Sequence, residues 1–69
     1  MGAAATSIEG YEAAVRHRAY RWAIQMHHEA ALMHERAAQL YDSIRQMDLA
    51  EREKRLARAE RLAAVTTQA

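Results

Sequence analysis

A chain of 69 residues with no cysteine forms one small unit, with neither disulfides nor thiolate zinc ligands to support a marginal core. Its 51% hydrophobic content overstates the core material, because 17 of the 35 residues concerned are alanines, which bury little area and chiefly favour helix. Ten basic residues against nine acidic ones leave a formal charge of +1, so no global field singles out nucleic acid or an anionic membrane as the partner.

No apolar run approaches the roughly 20 residues of a membrane span, and the first residues lack the basic start and hydrophobic core of a signal peptide. The expected location is therefore cytoplasmic. Nine arginines against the single Lys54, abundant alanine, and no Asn or Phe suggest a GC-rich bacterial genome. Met1-Gly2-Ala3-Ala4-Ala5-Thr6 fits the loose N-myristoylation template, but an Ala-rich segment without packing partners reads better as a disordered leader over residues 1–6.

Thr6 and Glu9 have the spacing of a capping box and predict a helix start. From there Ile8, Tyr11, Val15, Ala19, Trp22, Met26, Ala30, Met33, Ala37, Tyr41 and Ile44 recur at spacings of three and four, on one helical face. The repeat is 3-4-4, an 11-residue period, which implies a nearly straight seam that heptads fit less well. Proline is absent throughout and Gly10 is the only glycine beyond Gly2, so helix 1 is expected to run over about 7–46. Further capping boxes, Ser43 with Gln46 and Asp48 with Glu51, place a turn near Gln46 to Asp48. Helix 2 is expected over about 49–65, with a thinner stripe of Leu49, Leu56, Ala59 and Ala63, followed by a frayed tail at 66–69.

At ~1.5 Å per residue these helices differ in length, ~60 Å against ~27 Å, so a hairpin leaves part of helix 1 uncovered. Helix 2 is expected to reach back to Met26 or Glu29, leaving Tyr11, Val15 and Trp22 bare. The predicted fold class is all-α: a helical hairpin, residues 7–65, that completes a four-helix bundle by oligomerisation. Its seam residues Tyr11, Val15, Trp22, Met26 and Met33 are the expected docking surface, for a second copy or a larger protein.

Catalysis has little support: there is no Cys nucleophile and no Gly-rich phosphate loop, Ser7 and Ser43 sit at expected helix starts, and Glu51 and Glu53 face opposite ways. No cofactor is expected. His17, His27, His28 and His34 are numerous for a chain of this size, yet His27 and His34 share a face two turns, ~10 Å, apart, too far for one ion. They are expected as partly buried residues at the edge of the seam, with a pH-sensitive interface or an intersubunit metal or haem site as weaker readings. The methionines beside Trp22 read as core before they read as an adaptable groove. Arg16, Arg18 and Arg21 point different ways, whereas Lys54, Arg58 and Arg61 share a face flanked by Arg55 and form the alternative function, a nucleic-acid contact. Glu51 offsets that face through pairs with Lys54 and Arg55.

The segments His34-Glu35-Arg36-Ala37-Ala38-Gln39-Leu40-Tyr41, Ala50-Glu51-Arg52-Glu53 and Ala59-Glu60-Arg61 resemble small actinobacterial helical proteins with HERAA-type helices, over less than half the chain. That resemblance implies a bacterial, cytosolic protein and no particular activity. Ala38, Tyr41, Ala50 and Ala57 are also similar to one tetratricopeptide unit, but His34 and Lys54 stand where that family has bulky apolar residues, and no second copy follows.

Overall fold

The computed structural model describes residues 2–68, and side chains from 8 to 67. It contains two helices, α1 over Gly2–Ser43 and α2 over Met47–Gln68, and no strand among the described residues. They form an antiparallel hairpin 66 Å long and 16 Å wide. Both helices exceed their expected bounds at the outer ends. Ala3 to Ala5 are the best helix formers available and carry α1 back to Gly2, ahead of the predicted start at Thr6. The capping role of Thr6 lies outside the described side chains. At the other end, Thr66 and Thr67 donate their hydroxyls to the carbonyls of Leu62 and Ala63, four residues back, within a helix that continues to Gln68.

The turn comes earlier than the capping boxes suggest. Arg45 adopts φ 62°, the left-handed region, and two hydrogen bonds close α1 around it: Arg45 N–H donates to the Asp42 carbonyl at 3.1 Å, and Gln46 N–H to the Tyr41 carbonyl at 2.8 Å. This is a Schellman motif with arginine where glycine is usual. Ser43 is therefore the last residue of α1 and not a cap for α2; its hydroxyl donates back to the Leu40 carbonyl. Gln46 opens α2 by accepting from Ala50 N–H, which leaves Asp48 in the first turn, where its charge suits the helix dipole. Arg45→Gly removes the left-handed penalty, about 1 kcal/mol, partly offset by greater freedom in the unfolded chain. The variant is expected to raise the urea midpoint slightly; an unchanged or lower midpoint would show that Arg45 carries no strain.

The helices do not meet along the predicted seam. The fully buried side chains are all alanines: Ala31 and Ala38 from α1, Ala50, Ala57 and Ala64 from α2. Their spacing is seven residues on each helix, and His27 and His34 on α1 and Glu53 and Glu60 on α2 repeat at the same interval. At about 100° per residue, the contact face of α1 lies roughly a third of a turn round from the Ile8 to Ile44 stripe. The physical reason is size. Alanines let two helices approach to the low end of the 8–10 Å packing range, and the pairs between His and Glu complete that contact. A face of Trp, Met and Tyr holds the helices too far apart for either.

Candidate functional site

The structure's candidate site is a surface. Every residue from Ile8 to Trp22 is exposed, and Ala23 is the first half-buried position of α1 among the described side chains. With the turn centred on Arg45, Gln68 lies about level with Trp22, so some 30 Å of α1 extends past its partner. The overhang is a little shorter in sequence than expected, because α2 starts earlier and ends later. The more consequential departure is at the hairpin itself. Since α2 docks on the alanine face, the apolar stripe stays open there as well: Met33 is 62% exposed and Ile44 63%, alongside Tyr11 at 68% and Trp22 at 65%. Val15 is exposed and Met26 half-buried. α2 thus covers the lower half of the stripe only in part: Met26, Ala30, Ala37 and Tyr41 are half-buried, while Met33 and Ile44 stay exposed.

On the hairpin half this stripe has company. Going round from it, past its own Ala30 and Ala37 and the neighbouring Ala23, one meets the two His–Glu pairs, then Leu49, Leu56 and Ala63 of α2. Leu49 and Leu56 are each 37% exposed. One broad side of the hairpin is therefore apolar at its edges with two polar links along its floor.

Those links join His27 Nδ1 to Glu60 Oε2 at 2.6 Å and His34 Nδ1 to Glu53 Oε2 at 2.5 Å. The second is the better shielded, with Glu53 at 17% side-chain exposure against 30% for Glu60. Of the four histidines expected to be partly buried, His17 and His28 are exposed, whereas His27 and His34 are partly buried, at the alanine seam and not at the predicted one. They occupy successive layers, each with its own carboxylate. Among the described residues no group of three or more His, Asp or Glu side chains gathers as a metal-ligand set. A sequence reader finds these pairs by noticing that His27 and His34 share the interval of Glu53 and Glu60 with the polarity reversed.

The opposite side of the hairpin is ionic. Arg61 donates to Glu35, and this bond, more than the charge alone, holds the Glu35 carboxyl below its usual range and raises the arginine. Lys54 is raised first by its hydrogen bond to Glu51 and next by the charge of Asp42, 3.6 Å away. Asp42 keeps one carboxylate oxygen buried without a partner. The basic row proposed as a nucleic-acid contact is therefore divided. Lys54 and Arg61 are spent on carboxylates of α1 and α2, while Arg55 and Arg58 are exposed and in no ion pair among the described residues.

No cavity opens among the described residues, and neither helix is long and apolar enough to cross a membrane. No family model, curated protein or solved structure matches this chain.

Proposed function

We propose that this chain is a non-enzymatic protein–protein interaction module that docks through the apolar stripe of α1, either onto further copies of itself or as an accessory subunit of a larger protein. The carrying observation is the stripe's full exposure from Ile8 to Trp22, continued on the hairpin half by the exposed Met33 and Ile44. A compact globule of 7.9 kDa exposes about 4,400 Å². This chain exposes 5655 Å². The excess, roughly 1,200 Å², reflects the 66 Å long, thin shape that leaves one face of α1 without a covering layer. Four ion pairs, His27–Glu60, His34–Glu53, Lys54–Asp42 and Arg61–Glu35, join the two helices of the hairpin, which suits a scaffold. The bacterial and cytoplasmic readings of the composition fit such a role.

Trp22, the single tryptophan, reports on the surface directly. In the isolated chain its emission is expected to be that of a solvated indole, open to acrylamide. Raising the protein concentration or adding the partner should shift the emission to the blue and protect it from quenching, and Trp22→Asp should abolish association while leaving helicity intact. A compact monomer at micromolar concentration with no partner, unchanged by Trp22→Ala, would sink the reading.

A further inference from the structure

The stripe of α1 has a property that identifies what covers it. Its spacings, 3-4-4-3-4-4-3-4-4-3, read the same from either end, and the midpoint is Met26. A second α1 laid antiparallel with Met26 on the two-fold axis sets Trp22 against Ala30, Met33 against Ala19, and Val15 against Ala37. These three large side chains each meet an alanine, as interdigitating helices require. Met26 meets itself, and the ends match in kind, Tyr11 with Tyr41 and Ile8 with Ile44.

We infer that the occupant of the stripe is a second copy of this chain, antiparallel and centred on Met26. The inference rests on the docking reading above and names the partner. In this register the overhang of each chain lies along the open apolar side of the other's hairpin, where Tyr11 comes level with Leu49 and Ala19 comes about level with Leu56. Four helices pack in the middle of the assembly and three on either side of it, with the first seven residues of each α1, about 10 Å, projecting at the two ends. Charge agrees at the overhang. Glu9 and Glu12 are in no ion pair among the described residues, and nor are Arg45 and Arg52, which the register sets beside those glutamates of the other copy. One contact is adverse: Arg18 comes near Arg36 of the second copy. Both are exposed, so water and salt screen them, and the apolar pairs decide.

The 11-residue period also permits shifted registers, such as one centred on Val15 that joins only the overhangs into a much longer rod. Those leave Met33, Ile44, Leu49 and Leu56 bare, and the Met26 register covers them. It therefore buries the greater apolar area.

The chain has no cysteine of its own, so single cysteines read the register. Under mild oxidation Met26→Cys is expected to convert most of the protein to a disulfide-linked dimer, because the two sulfurs face each other across the axis. Val15→Cys and Met33→Cys should remain largely unlinked, and scattering should give a dimer only about 10 Å longer than one hairpin. Efficient linking through Val15→Cys with a longer particle would overturn the register and the hairpin-covering dimer with it. A chain that stays monomeric yet retains a partner that Trp22→Asp releases would overturn the second-copy assignment while leaving the docking reading intact. A monomer without any partner would overturn both.

Discussion

Replacing Ala57 with leucine is expected to destabilise the hairpin more than any single change on its surface. Ala57 is 2% exposed and packs in a seam where every fully buried side chain is a methyl group. Three added carbons have no void to enter, so either α2 lifts away or its register shifts. Overpacking a close-packed interior costs about 1–3 kcal/mol. For a 69-residue chain that is a large part of a total stability of several kcal/mol, and α2 detached from α1 is a marginal helix in water. The control is Ala59→Leu, two residues away on the exposed side, where leucine should change stability by no more than about 0.5 kcal/mol. Urea unfolding followed by circular dichroism separates the two. If Ala57→Leu unfolds at the midpoint of the parent, or Ala59→Leu is the more damaging, the alanine seam is not what joins the helices.

The second large effect concerns Glu53. Its carboxylate is the better shielded of the two that receive a histidine, and removing it strands His34 against α2 with no acceptor. A hydrogen bond involving a charged group contributes about 1.5–3 kcal/mol when buried. Partial exposure of both side chains, 31% and 17%, lowers the expected loss for Glu53→Ala to about 1–2 kcal/mol. Glu60→Ala should cost less, since the His27 pair stands at 34% and 30% exposure. A double-mutant cycle with His34→Ala isolates the pair from the packing lost with either side chain. Equal losses at Glu53 and Glu60, or a coupling near zero, would show that the pairs decorate the seam without holding it.

The two helices, the absence of strands and the excess length of α1 were legible from residue spacing, because periodicity and missing breakers act locally. Which face of α1 receives α2 was not. The sequence carries two superposed patterns, an 11-residue stripe of large side chains and a seven-residue alternation of alanine with histidine on α1 and of alanine with glutamate on α2. Judging by hydrophobicity favours the first. The fold uses the second, since close approach depends on small side chains and on polar complementarity between helices, which one helix inspected alone does not display. The turn was misplaced by a few residues for a related reason: Ser43 and Asp48 look like caps, whereas the hydrogen bonds that end α1 come from backbone groups around Arg45, a residue type that rarely signals a left-handed position. Within the candidate surface, Trp22 and Tyr11 were correctly foreseen as uncovered; the exposure of Met33 and Ile44 was not, as it follows from the choice of face.

A seam made of alanines also fixes how the chain responds to temperature. The heat capacity of unfolding rises with the apolar area released to water, at roughly 0.45 cal/K/mol for each Å². Opening a contact of five small methyl-bearing residues releases little of it, so the isolated hairpin should melt gradually over a shallow stability curve. The large apolar groups lie on the other face, and their hydration changes when that face is covered. With the proposed second copy on that face, the calorimetric signature ordinarily assigned to folding is expected to accompany association instead.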